Sequence, residues 1–245
     1  MSYHIVHYGK DFLSYALRSV YDQVDELQIL FTAHPSHGHH SDQPPPETRE
    51  EIYAAAFAYD PASKIHWRET DIWQEGQQRD FAVNVCKQAG AEIVLVVDAD
   101  EVWDAGTLKR ALIFVEQENK ARNNLVNMLH FWRSFNWVCR DNNWPVRFID
   151  LRHKDGVAYV PKEIGDIYHF GYATTNKIMS YKLSIHGHKE ELRKNWFENK
   201  WENWPPVPDC HPTNANNWWT PEPFDKTKLP PFMINHPFYN LERIE

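Results

Sequence analysis

The segment Ala91-Glu92-Ile93-Val94-Leu95-Val96-Val97-Asp98-Ala99-Asp100-Glu101 constrains the fold of this chain more than any other. The aliphatic run from Ile93 to Val97 has no polar face, so it suits a strand buried between two layers. At its end the polarity reverses. Asp98 and Asp100, one residue apart, fall in the loop beyond the strand. In open α/β sheets, ligands bind in the crevice outside the carboxyl ends of the strands. Oxygen donors there suit Mg²⁺ or Mn²⁺, above all when a substrate phosphate completes the shell. The segment predicts a buried strand with a metal–diphosphate site at its tip.

The flanking pattern agrees with such a sheet. Residues 4–8 read as a first strand closed by Gly9, and Leu13, Ala16, Leu17 and Val20 recur at helical spacing. Residues 27–32 read as a second strand, followed by a polar loop from Ala33 to Pro46. Thr48 and Glu51 form a capping box for a helix with Ile52, Ala55, Ala56 and Tyr59 on one face. A third strand over 65–68 precedes a helix with Phe81, Ala82, Val85 and Ala89, stopped by Gly90. Another helix starts near Asp104, with Leu108, Ala111, Leu112 and Val115. Alternating strands and helices predict an α/β fold, a Rossmann-like, doubly wound and mostly parallel sheet. Beyond residue 124, aromatic-rich strands over 126–137 and 146–151 predict mixed pairing, with helices over about 176–183 and 190–200.

The tail 201–245 is rich in Pro, Trp and Asn. Trp201, Trp204, Trp218, Trp219, Phe232 and Phe238 make it too apolar for a solvated segment. It is expected to be ordered and packed on a catalytic domain spanning 1–200.

The Asp-x-Asp strand end resembles the motif of nucleotide-sugar glycosyltransferases with the GT-A fold. Leu13-Ser14-Tyr15-Ala16-Leu17-Arg18-Ser19-Val20, followed by Val24-Asp25-Glu26-Leu27-Gln28-Ile29-Leu30, resembles the opening of family 2 glycosyltransferases. The resemblance implies a GT-A fold and a nucleotide-diphosphate sugar as donor. It makes Asp100 the metal ligand, and Asp98 a ribose-side contact or second ligand. In Tyr168-His169-Phe170-Gly171-Tyr172-Ala173, His169 resembles the histidine of a His-x-Gly segment that completes the metal shell, with His186 and His188 as rivals. Arg79 sits where family 2 enzymes face the nucleotide, and Tyr8 and Asp71 lie where the ribose and base would be. The acidic pair usual after the second strand is replaced by Phe31-Thr32-Ala33-His34. Trp132, Phe135, Trp137 and Trp144 fall in the acceptor region. Asp141 and Glu163 are candidates for the general base that an inverting enzyme needs.

Composition bounds the rest. The 245 residues, 42% hydrophobic, suffice for one α/β domain. A formal net charge of −8 without a basic run argues against a general nucleic-acid footprint. No apolar stretch approaches the ~20 residues that span a bilayer. Cys86, Cys139 and Cys210 are odd in number and far apart, which fits free thiols in a reducing compartment. With an N-terminus that leads straight into a strand, a cytoplasmic protein is expected. The expected function is metal-dependent sugar transfer to a hydroxyl of a glycan, protein, lipid or modified DNA base. A nucleotidyl or phosphoryl transferase and a Trp-based carbohydrate-binding protein are the rival expectations.

Overall fold

The computed structural model describes residues 1–35, 41–140, 144–213 and 219–245. Strand β1 (Ser2–Val6) leads through Gly9 into helix α1 (Lys10–Val20). β2 (Leu27–Thr32), α2 (Arg49–Ala56), β3 (Ile65–Thr70), α3 (Glu75–Gln88) and β4 (Ile93–Val96) follow. The capping box forms: Thr48 Oγ1 accepts from Glu51 N, and Thr48 N donates to the Glu51 carboxylate. Gly90 adopts φ +91°, the left-handed conformation that lets the chain leave α3 for β4.

These strands pair in parallel in the order β4–β1–β2–β3. Period-two alternation explains why β4 has no polar face. Val94 and Val96 pack with Ala82 and Cys86 of α3 on one side of the sheet. Leu95 and Val97 join Leu13, Leu17 and Ile52 of α1 and α2 on the other.

After β4 come β5 (Glu101–Val102), α4 (Ala105–Ile113), β6 (Asn123–Leu125), β7 (Met128–Trp132), β8 (Trp137–Arg140) and β9 (Val146–Asp150). β10 (Val157–Tyr159), β11 (Ile167–Tyr172), α5 (Asn176–Ser184) and β12 (Glu222–Pro223) complete the set. Antiparallel β9 joins β4 to β6, giving a mixed seven-stranded sheet, β10–β6–β9–β4–β1–β2–β3. A second sheet runs β12–β8–β7–β11–β5. The architecture is α/β with a Rossmann-like parallel half.

Three local expectations change. The strand expected over 126–137 divides into β7 and β8 around a turn that includes Arg133 at φ +49°. β1 stops at Val6, leaving His7 and Tyr8 in the loop. The helix expected over 190–200 does not form, and only short helical turns at Lys189–Glu191 and Phe197–Trp201 remain. Tertiary bonds override helical propensity there: Arg193 N donates to Pro212 O, and its guanidinium clamps Asp209 at 2.8–2.9 Å.

The described part of the tail packs on the second sheet. Trp201, Cys210 and Trp219 are buried with Trp132, Cys139, Met179 and Trp196. Leu229, Met233 and Ile244 are buried with Phe12, Phe131, Phe135 and Phe170. Trp132 and Phe135 are fully buried, so they are core residues and do not offer a face to an acceptor. Trp137 and Trp144 are half-buried, and Trp144 lies against Tyr159 and Lys162. Trp218 lies outside the described residues. Among the described residues no helix is long and apolar enough to cross a membrane.

Candidate donor cleft

Parallel pairing puts the carboxyl ends of β1, β2 and β4 side by side. A cleft of about 260 Å³ opens there, with Tyr8, Arg79, Asp98, Asp100 and His169 among its lining residues. Gly9 allows the close approach of its two main loops. It sits at φ +117°, and a Cβ on it would meet Ala99 Cβ at 3.1 Å.

The two aspartates face different partners. β5 pairs antiparallel with β11, placing Glu101 opposite His169, and Phe170 N donates to Asp100 O at 2.8 Å. This pairing carries His169 to Asp100, with Nε2 3.5 Å from Oδ1. Burial raises the Asp100 carboxyl, but His169 and then Lys182 outweigh it and hold it below the usual carboxylate range. His169 Nδ1 lies 2.7 Å from His130 Nδ1, across the register of β11 and β7. A single proton between these nitrogens makes one ring the donor and the other the acceptor.

Asp98 instead accepts from Arg147 Nη2 at 2.7 Å. Arg147 comes from β9, is nearly buried, and also pairs with the buried Glu101. Glu101 in turn accepts from Asp98 N at 3.1 Å, which fixes the loop. Burial raises the Asp98 carboxyl, and Arg147 with Arg79 reverses that and lowers it overall. Arg79, on the first turns of α3, donates to Glu75 at 2.6 and 2.9 Å and reaches within 3.9 Å of Asp98.

The mouth of the cleft is built from His7, Tyr8 and α5. His7 Nδ1 lies 2.9 Å from Thr32 O, which can only accept, so Nδ1 carries the proton. His7 Nε2 then accepts from Tyr181 Oη at 2.7 Å. Burial lowers the His7 imidazole despite the Thr32 bond, which favours this neutral tautomer. Burial, reinforced by the nearby Asp100 charge, raises the Tyr8 phenol and keeps it protonated. Lys182 of α5 donates to Gly171 O at 3.0 Å and lies 4.8 Å from the Tyr172 ring centre. Glu47 seals the N-terminus of α1 by accepting from Gly9 N and Lys10 N at 2.7 and 3.0 Å.

Of the residues singled out in the sequence, Tyr8, Arg79, Asp98, Asp100 and His169 meet in this cleft. His186 and His188 line an adjoining outer cavity with His7 and Lys182. Two candidates are not brought to the cleft. Asp71 is exposed beyond β3, because the chain turns away through the bond from Ile72 N to Thr70 Oγ1. Glu163 is exposed on the helical turn Lys162–Ile164, which packs near α4. Asp141 lies outside the described residues. Sequence reading missed His7, Lys182 and Arg147, which arrive by tertiary packing and lie in no motif.

The donor atoms decide what cation they suit. Among the described residues no group of three or more His, Cys, Asp or Glu side chains is placed to hold a metal ion. The resemblance makes Asp98 a ribose-side contact or second ligand, and here its carboxylate is engaged by Arg147. Asp100 and His169 remain, an oxygen and a nitrogen donor both open to the cleft, with side chains 26% and 15% exposed. Such a pair fits a hard divalent cation that keeps waters and shares substrate phosphates, not a closed protein cage.

Gly171 explains the spacing of His169-Phe170-Gly171. A Cβ on it would lie 2.6 and 2.7 Å from the His169 ring and 2.8 Å from Lys182 Nζ. Gly171→Ala is expected to displace that ring, and a divalent cation held by it would bind roughly 10- to 100-fold more weakly, the scale seen when metal-ligand support is lost. Calorimetric Mn²⁺ titration checks this. Unchanged affinity in the variant would mean the ring does not present the cation.

Comparison of the chain with protein-family models and with curated proteins finds no match.

Proposed function

We propose that this cleft binds the donor of a metal-dependent glycosyltransferase of GT-A type, which moves a sugar from a nucleotide-diphosphate sugar to an acceptor hydroxyl. One observation carries the reading: an open carboxylate–imidazole pair, an arginine-held aspartate and a second arginine share one cleft beyond parallel strand ends. In sugar transfer the bond between the anomeric carbon and the diphosphate oxygen breaks, and negative charge grows on the leaving oxygen. A divalent cation at Asp100 and His169 would supply electrostatic stabilisation of that charge.

The chain's own residues orient the donor. Asp98, locked by Arg147, presents its remaining acceptor capacity toward ribose hydroxyls. Arg79 offers a guanidinium toward phosphate. His7 and Tyr8 wall the mouth where a base can stack. The acceptor belongs to the same proposal: a glycan, protein, lipid or modified DNA base. The rival, a metal-dependent nucleotidyl or phosphoryl transferase, would in a two-cation form ask for further free carboxylates, and Arg147 engages both Asp98 and Glu101. Against a carbohydrate-binding role, Trp132, Trp196, Trp201 and Trp219 are buried, which leaves Trp137, Trp144 and Trp204, all half-buried, among the described residues of that half of the chain. Three buried free cysteines support action in the cytoplasm.

The test is a panel of nucleotide-diphosphate sugars with Mn²⁺ or Mg²⁺, followed by release of the nucleoside diphosphate. At least one donor is expected to turn over, and a chelator to stop it. Release of nucleoside monophosphate or pyrophosphate, or turnover indifferent to chelation, would contradict the proposal.

A further inference from the structure

The cations around the cleft differ in what already engages them. Arg79 is bound to Glu75, and Arg147 to Asp98 and Glu101. Among the described residues, Lys182 has no carboxylate oxygen recorded within ion-pair distance. Its one hydrogen bond goes to a neutral acceptor, Gly171 O. An ammonium has three donors, so two remain for a ligand.

Its placement is fixed by packing and not by charge. Thr175 caps α5, accepting from Ile178 N, and Ile178, Met179 and Tyr181 are buried. Tyr181 is tied to His7 across the mouth. The Lys182 ammonium lies over the Tyr172 ring, 4.8 Å from its centre, and Gly171 leaves room for it. Lys182 lines three adjoining cavities: the main cleft with Asp100 and His169, a small one with Tyr8 and Glu47, and the outer one with His186 and His188. It stands at the junction that any ligand occupying both the cleft and its outer extension must cross.

Charge gives this position a use. A nucleoside diphosphate leaves with about three negative charges at neutral pH, as terminal phosphates do. A divalent cation offsets two, but Asp100 adds one back. The cleft therefore needs positive charge on the diphosphate beyond that of Arg79, which is shared with Glu75, while Arg147 is held by Asp98 and Glu101. We infer that Lys182 binds the diphosphate of the donor directly, so that the site selects diphosphate over monophosphate leaving groups. The inference rests on the donor-site reading above.

Inorganic pyrophosphate with Mn²⁺ is the probe, titrated calorimetrically into the full chain, with inorganic phosphate alongside. Lys182→Gln, one bond shorter, keeps an N–H donor on the side chain but removes the charge. It is expected to weaken pyrophosphate binding about 10- to 100-fold, the range for one hydrogen bond to a charged group. Mn²⁺ affinity and melting temperature should stay close to wild type, a combination that a merely structural lysine would not give. Lys182→Arg, which restores the charge, should recover most of the affinity. Wild-type pyrophosphate affinity in Lys182→Gln overturns the inference. So does an Arg variant that folds but binds pyrophosphate about 10- to 100-fold more weakly than wild type, and that comparison holds even if the Gln variant fails to fold. A wild-type chain that binds neither Mn²⁺ nor Mn²⁺–pyrophosphate instead overturns the donor-site reading itself.

Discussion

Asp100→Asn is expected to lower turnover of a nucleotide-diphosphate sugar by about 10³-fold or more while leaving the fold intact. The magnitude is that of several kcal/mol of cation stabilisation at a developing charge, about 1.4 kcal/mol for each factor of ten. Asp100 Oδ1 is the oxygen that faces His169 Nε2, and among the described residues no arginine pairs with it as Arg147 does with Asp98. The backbone of Asp100 still accepts from Phe170 N, so the β5–β11 pairing survives the change. Loss of the partly exposed carboxylate costs stability on the scale of an ordinary substitution, about 1 kcal/mol. A chain of this size should then lose only about 2–4 °C in Tm. Activity near wild type in this variant, with Mn²⁺ still bound, would remove Asp100 from the site.

The largest expected effect on stability is at Arg133, far from any motif. Its guanidinium is buried among neutral acceptors. Nη1 donates to Trp201 O at 2.6 Å, and Nη2 to Asn176 Oδ1 and Ile244 O, both at 2.9 Å. It also lies 4.7 Å from the Trp201 ring centre. Burial, with the nearby Arg243 charge, pulls its pKa down to about 10, so it remains charged at neutral pH. One side chain thus ties the turn after β7 to the start of α5 and to two points of the tail. Arg133→Met strips the Arg133 donors from the buried Trp201 and Ile244 carbonyls, while Asn176 Oδ1 keeps its bond from Trp201 Nε1 at 2.8 Å, and should cost about 3–5 kcal/mol. That corresponds to a fall of roughly 10 °C in Tm, with residues 201–245 becoming the first target of protease. A Tm unchanged in Arg133→Met, with the tail still resistant, would show that the aromatic contacts alone hold it.

What could be read from the chain was local. The β4 run, the Thr48 capping box, the helix start near Asp104 and the Gly90 stop each depend on residues within one turn or strand, and each forms. The Asp98–Asp100 loop follows from the strand before it. What could not be read was set by distant pairing. Asp100 meets His169 because β5 and β11, 68 residues apart by that pair's numbering (169 − 101), are hydrogen-bonded neighbours. Arg147 reaches Asp98 only because antiparallel β9 lies beside β4. Lys182 and His7 converge through packing of α5, and neither sits in a recognisable spacing. The neutralising arginine of Asp98 was illegible for the same reason, since it lies 49 residues away in sequence. Glu163 and Asp71 were assigned by position along the chain alone, and local turns direct both into solvent.

The central claim is that a divalent cation and a nucleoside diphosphate bind together at Asp100 and His169. Calorimetric titration of nucleoside diphosphates into the wild-type chain and into Asp100→Asn, each with and without Mn²⁺, tests it most directly. The account predicts at least tenfold tighter binding of one nucleoside diphosphate with Mn²⁺, and the reciprocal tightening of Mn²⁺, as linkage requires. It predicts that this coupling disappears in Asp100→Asn. Nucleoside diphosphate binding that ignores Mn²⁺ in the wild type, or coupling that survives the loss of the Asp100 carboxylate, would contradict it.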